Sequence, residues 1–242
     1  MSGERFRPPP NRPRGLLASL VRRALDLQVH TVLSHLTPWL ADRRGSVLEV
    51  GCGAMPYRRL LPPGCRYQGL DWAGAETAFG YASAEVVLFD GGSFPFPDAV
   101  FDNLFHTEVL EHVPDPARFL AECRRVLAGG GELFISVPFQ ARFHYIPHDY
   151  WRFTPSGLLL LLERAGFADI RISPRGTDLT VAACKTASLV YRLLQEGVQG
   201  KCFGAALVPL AGVALLIGHL SLALHWGSHD DCLGYAVTAR AI

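Results

Sequence analysis

Two stretches of this chain gather side chains that do acid–base, metal and recognition chemistry. In Glu108-Val-Leu-Glu111-His112, two carboxylates and an imidazole fall within one short run. Oxygen and nitrogen donors so spaced suit a divalent cation on Glu108, Glu111 and His112. Without a cation, His112 suits a general base that takes a proton from an acceptor. The plainer alternative makes Glu111-His112 an ordinary loop before Asp115-Pro116. No metal is expected; Glu108, Glu111 and His112 are the set that would hold one. The second stretch is Pro147-His148-Asp149-Tyr150-Trp151-Arg152-Phe153-Thr154. Aromatic faces beside an arginine suit a planar or sugar-like acceptor bearing an acid, which makes His148, Tyr150 and Arg152 candidates. The alternative is a structural cap, with Trp151 and Phe153 buried and Arg152 paired to Asp149.

A third set suits a nucleotide-like ligand. Glu49-Val-Gly51-Cys-Gly53-Ala-Met-Pro56 follows a short apolar run, and glycines there let the backbone turn tightly and approach a ligand. Asp71 stands 20 residues after Gly51. That spacing suits an acid at the tip of a second strand, accepting from two ribose hydroxyls. Asp90, before Gly91-Gly92-Ser93-Phe94, is placed to hold an adenine amino group, or is an ordinary turn acid. Together these features point to an adenosine-containing ligand. The dinucleotide fingerprint needs a third glycine where Pro56 stands, which argues against NAD.

The elements that position these residues alternate. Ser46–Val50, Arg66–Leu70, Ala84–Phe89, Val100–Phe105, Glu132–Val137, Asp169–Ser173 and Leu233–Ala239 read as strands. Asp115-Pro116 opens a helix running to about Leu127, which Gly129-Gly-Gly131 stops. Thr154-Pro155 opens another that Gly166 ends. Residues 15–40 read as one helix, broken at Pro38. Strand–helix alternation predicts an open α/β sheet. Residues 1–44 form a basic arm and helix, with six arginines against one acid up to Arg23; residues 45–242 form the domain, and 178–230 a helical insertion.

Composition narrows the classes. Lys+Arg is 23 against 22 Asp+Glu, so no basic field marks a nucleic-acid binder. Apolar residues reach 49% and charged ones 19%, enough for a substantial core and unlike a disordered chain. The 6 cysteines show no C-x-x-C pair and read as free thiols. The N-terminus lacks a signal-peptide pattern, so a cytoplasmic location is expected, with membrane association left open. Phe203–Leu224 carries no charged side chain and, as a helix, measures ~33 Å against a hydrocarbon core of ~30 Å. A single span would put the last strand across the membrane from its sheet. The alternatives are a buried or dimer-forming insertion and peripheral membrane contact through 203–226, which Trp226 and the arginine arm suit.

The motifs Val47-Leu-Glu-Val-Gly-Cys-Gly53, Gly69-Leu-Asp71, Phe94-Pro-Phe96, Phe101-Asp-Asn103, Val109-Leu-Glu-His-Val113 and Arg125-Val-Leu-Ala-Gly-Gly130 occur in that order. The chain thereby resembles a class I S-adenosylmethionine-dependent methyltransferase of the methyltransferase type 11 kind, over about residues 46–174 plus the last strand. The resemblance implies a Rossmann-like sheet of seven strands, the last antiparallel. It implies S-adenosylmethionine as cofactor, with Glu49 and the Gly51–Gly53 turn against its methionine part, Asp71 on the ribose, Asp90 on the adenine and His106 near the sulfonium. The usual third glycine of G-x-G-x-G is Met55 here. The 147–154 loop resembles a bacterial subgroup in which it covers the acceptor side. Some ubiquinone-pathway and small-RNA methyltransferases are similar in carrying an E-x-x-E-H metal site. The expected activity is O-methylation of a small-molecule or glycan- or lipid-linked acceptor. Its rivals are an NAD-dependent oxidoreductase and a non-catalytic, membrane-associated S-adenosylmethionine-binding protein. A nucleic-acid methyltransferase is disfavoured, because Phe105-His-Thr-Glu108 stands where an N-P-P-[YF] clamp would be.

Overall fold

The computed structural model describes residues 15–75, 85–145 and 147–242. The arm expected over 1–14 and the Ala84 start of the third strand lie outside the described residues. Among the described residues, β1 (Ser46–Val50), β2 (Arg66–Trp72), β3 (Val86–Phe89), β4 (Phe101–Thr107), β5 (Leu127–Pro138), β6 (Phe167–Arg175) and β7 (Gly234–Ala241) form one mixed sheet. Its order is β3-β2-β1-β4-β5-β7-β6, with β7 antiparallel. The pairs β3/β2, β2/β1, β1/β4 and β4/β5 are parallel.

All of β1 is buried, as suits a central strand covered on both faces. Strand order reverses on either side of β1, so a crevice opens beyond the carboxyl ends of β1 and β4, where α/β sheets take ligands. Fully buried Leu48, Leu104, Leu133 and Ile135 make the sheet's core, joined by Phe105 and Phe134, whose rings meet Trp39 at 6.1 and 5.5 Å. Truncating one such leucine to alanine costs about 2–5 kcal/mol.

Local chemistry sets the flanking helices. α3 (Pro116–Val126) is capped by Asp115, whose Oδ1 accepts from the Arg118 amide at 3.1 Å, and it buries Phe119, Leu120, Cys123 and Val126. α4 (Pro155–Arg164) is capped by Thr154, whose hydroxyl accepts from the Gly157 amide at 3.2 Å.

The structure corrects several boundaries. The helix expected over 15–40 is two, α1 (Leu16–Leu25) and α2 (Leu27–Ala41). Asp26 turns extended between them, and its Oδ1 accepts from the Val29 amide at 3.2 Å, opening α2. Pro38 sits inside α2 instead of ending it, at the loss of one hydrogen bond. The glycines 129–131 do not stop α3, which already ends at Val126. They lie within β5, where the register with β4 shifts between Phe101 and Asn103. A Cβ on Gly131 would sit 2.9 Å from the Ala128 carbonyl oxygen, so this irregularity needs glycine.

The chain divides into two compact units. One holds 35–173 and 235–242 and carries the sheet; the other holds 15–34 and 174–234. In the second, α5 (Asp178–Leu193) starts from a capping box in which the Thr180 hydroxyl accepts from the Thr177 amide at 2.8 Å. α6 runs Val198–Leu224, starting earlier than the charge-free stretch suggested. Leu27, Val181, Ala183 and Leu233 form this unit's buried cluster.

Candidate active site at the carboxyl ends of β1 and β4

The turn after β1 is built for close backbone approach. Gly51 and Gly53 take φ +67° and +52°. A Cβ on Gly51 would sit 2.4 Å from Val109 Cγ2. Met55, at the usual third-glycine position, also takes a left-handed φ of +53°, so the turn keeps that shape with a side chain that strains it. Asp71 locks the turn to β2: its Oδ2 accepts from the Gly53 amide and its Oδ1 from the Trp72 amide, both at 2.8 Å. Burial raises its pKa against those two bonds.

Glu49 is 2% exposed and faces Gly69 across the β1–β2 ladder. Burial pushes its pKa to about 8, opposed by a hydrogen bond from the Tyr67 hydroxyl at 2.6 Å. The carboxyl is therefore mostly protonated at neutral pH, and a nearby cation would ionise it. Asp90 is exposed; its Oδ1 accepts from the Gly92 amide at 2.8 Å.

His106 is the residue that the resemblance puts near the sulfonium. It is fully buried, edge-on to Phe119 at 5.3 Å, and burial pushes its pKa to about 3. Its ring packs the site from beneath.

The two catalytic stretches form one assembly. A 3₁₀ turn, Leu110–His112, follows β4. The Glu111 carbonyl accepts from the amides of Tyr150 (2.8 Å) and Trp151 (3.3 Å), and the Val113 carbonyl from Trp151 Nε1 at 2.9 Å. His112 Nδ1 bonds the His148 carbonyl. A carbonyl only accepts, so Nδ1 carries the proton and Nε2 keeps its lone pair. Burial pushes the ring's pKa down to about 4, so it is neutral.

Glu111 is fully buried, and neither carboxylate oxygen has a hydrogen-bond partner among the described residues. Burial, then the neighbouring Glu108 charge, hold its pKa well above the usual carboxylate range. An oxygen of Glu111 and one ring nitrogen each of His112 and His144 lie within 4.8 Å of one another. This set corrects the expected one: Glu108 is outside it, its Oε1 accepting from the Ser136 hydroxyl at 2.9 Å, and His144 takes its place.

The loop's charges are partly committed. Arg152 grips Asp149 through both nitrogens, at 2.6 and 2.8 Å, and donates to the Arg142 carbonyl at 3.1 Å. It organises the loop and is not poised for an acceptor's acid. Phe153 is buried as a cap requires, but Trp151 is 42% exposed and Tyr150 46%. His148 meets Trp72 edge-to-face at 5.5 Å. Trp72 is the residue that sequence reasoning missed: an indole directly after Asp71 was the signal. A Cβ on Gly91 would lie 3.8 Å from its Cδ1, so the indole joins the β2 tip to the loop after β3.

A doubly wound sheet with a glycine turn and an acid at the next strand tip suits a nucleotide cofactor at the carboxyl ends of its strands. Comparison with known proteins narrows it. The methyltransferase domain family matches residues 48–135. A ubiquinone biosynthesis O-methyltransferase of Aromatoleum aromaticum is 34% identical over 188 residues, covering 72% of each chain. A probable S-adenosylmethionine-dependent methyltransferase of Mycobacterium tuberculosis is 34% identical over 149 residues, 57% of this chain and 54% of that protein. The chain thus spans about half the length of the mycobacterial relatives it matches. The structure of an S-adenosylmethionine-dependent methyltransferase from Mesorhizobium loti shares the fold, with TM-score 0.53 at 17% identity over 88% of this chain and 99% of that one. The chain belongs to the class I S-adenosylmethionine-dependent methyltransferases. That overturns the NAD-dependent oxidoreductase alternative. The residues present fit the family's cofactor: a glycine turn at the end of β1, an acid, Asp71, at the tip of the next strand, and Glu49 able to ionise near a sulfonium or ammonium.

Proposed function

We propose that this chain transfers a methyl group to a hydroxyl of a small-molecule or glycan- or lipid-linked acceptor, with His112 taking the hydroxyl proton. The observation that carries it is the bond from His112 Nδ1 to the His148 carbonyl, which puts the neutral ring's lone pair on Nε2, 3.6 Å from Glu111 Oε1. The Aromatoleum relative, named as an O-methyltransferase, supports an oxygen acceptor. When bound, S-adenosylmethionine supplies a methyl group already activated on sulfonium, so the protein's task is alignment and exclusion of water. Gly51, Gly53 and Asp71 hold the cofactor, Asp90 its adenine end. Glu49 answers its positive charge by ionising. Tyr150 and Trp151, half exposed on the loop that His112 anchors, face the acceptor, and His148 with Trp72 closes the cofactor side.

The orphaned Glu111 carboxylate beside His112 and His144 favours one second reading of the same site. There a divalent cation on these three groups lowers the pKa of the acceptor hydroxyl, in place of a proton transfer to His112.

The test is methyl transfer from labelled S-adenosylmethionine to fractionated acceptor pools by wild type and His112→Asn. Turnover that falls about 10²–10⁴-fold with unchanged cofactor affinity supports His112 as the base. Cofactor binding with no turnover on any pool would make the chain a non-catalytic binder.

A further inference from the structure

Helix α6 packs inside out. The positions it buries are Gly204, Ala211, Gly218 and Ser221. Leu215 and Leu222 pack inward, but most of its large apolar side chains point away: Phe203, Leu210, Leu216 and Leu224 are 62%, 57%, 60% and 55% exposed. The contacts are close enough to require small residues. A Cβ on Gly204 would sit 3.0 Å from Leu193 Cβ, and one on Gly218 would sit 2.8 Å from Leu27 Cδ1. Buried hydroxyls join α6 to the start of α5, Thr177 Oγ1 to Ser221 Oγ at 2.6 Å. A helix facing water does the reverse, burying its large apolar residues and exposing polar ones. Small residues and hydroxyls inside, bulky apolar residues outside, is how helices pack when hydrocarbon is the solvent.

The same unit supplies the rest of a membrane-facing surface. α1 exposes Leu16 and Leu17 by 79% and 76% and carries Arg22 and Arg23 in its last turn. The sequence before it, outside the described residues, holds Arg5, Arg7, Arg12 and Arg14 against the single acid Glu4. Trp226, just after α6, is 59% exposed, the residue type that settles at headgroup level. Arginines of this number complement anionic headgroups.

We propose that α6 and α1 form a monotopic docking surface for an anionic bilayer, with α6 lying along the interface. Two features argue against a span. β6 and β7, which flank the helical hairpin, are neighbours in one sheet, so both ends of the hairpin stay on one side. The hairpin tip carries Lys201 beside the Arg192–Glu196 ion pair, a charged end that hydrocarbon admits only at a cost. The proposal is independent of the methyl-transfer chemistry.

The test uses the full chain and sedimentation with vesicles of phosphatidylcholine, alone or with phosphatidylglycerol, at low and high salt. Binding at least tenfold stronger to anionic vesicles, weakened by salt, is expected. The double variant Leu216→Glu/Leu220→Glu, at two exposed positions, should lose binding at least tenfold while still binding S-adenosylmethionine, which reports its fold. A wild-type dimer that the double variant dissolves, without vesicle binding, would assign the face to a second copy. A monomer that ignores vesicles overturns the proposal outright. Resistance to an alkaline wash would replace the interfacial pose with insertion across the bilayer and also overturn it.

Discussion

His112 donates from Nδ1 to the main-chain carbonyl of His148, one of the hydrogen bonds that tie the turn after β4 to the loop after β5, and this bond fixes the imidazole tautomer. The ring is neutral because burial holds its pKa near 4. A base works only unprotonated, so turnover should be flat with respect to this group near neutrality and fall as pH drops through about 4. A pH profile of kcat measures this directly. An acid limb near the free-imidazole value of ~6.5 would contradict the burial assigned to His112.

Glu111 separates proton transfer from metal assistance. Burial holds its pKa well above the usual carboxylate range, towards the neutral form that an amide resembles. Without a cation, Glu111→Gln should keep turnover within about threefold, and chelation should change nothing. If Glu111, His112 and His144 hold a cation, that variant and a chelator should both abolish turnover, and divalent metal should restore the chelated wild type. Turnover against added metal decides between them.

Cofactor binding should release a proton. Glu49 is mostly protonated below its pKa of about 8, and a cationic ligand nearby favours the ionised form. Affinity for S-adenosylmethionine should therefore rise with pH up to about 8 and then level off. In calorimetry the apparent enthalpy should change with the ionisation heat of the buffer. Glu49→Gln should remove both effects; a buffer-independent enthalpy in wild type would refute them.

His106 should govern acid stability. Its folded pKa of about 3 lies below the unfolded value of 6.5, so the unfolded chain binds the extra proton between the two. The stability it contributes is complete above 6.5 and is lost as pH falls through about 3. His106→Phe keeps an edge-to-face partner for Phe119 and removes the titration. Its acid-unfolding midpoint should move to lower pH, as followed by circular dichroism. An unchanged midpoint would show that the ring titrates freely in the native state.

Much of this was legible in local sequence. Asp115-Pro116 and Thr154-Pro155 announce helices because capping is decided by neighbours a few residues away. The sheet was legible because β1 is a short apolar run closed by glycines and β2 ends on the acid Asp71. What failed depended on contacts distant in sequence. The glycines 129–131 resemble a helix stop, yet they serve a strand irregularity that only β4 makes visible. Glu108, Glu111 and His112 look like one ligand set until Ser136 takes the first and His144 replaces it. Arg152 belonged to Asp149, the pairing that the structural-cap alternative required, while the exposed Trp151 did not follow that alternative.

The most direct test of the central claim is calorimetric titration of S-adenosylmethionine and S-adenosylhomocysteine into wild type and Asp71→Ala. Asp71 locks Gly53, and the proposed cofactor site places its carboxylate on the ribose. The account predicts saturable binding of both ligands by wild type and a loss of at least tenfold in affinity in the folded variant. Absence of binding by folded wild-type protein, or equal affinity in Asp71→Ala, would contradict the cofactor site described here.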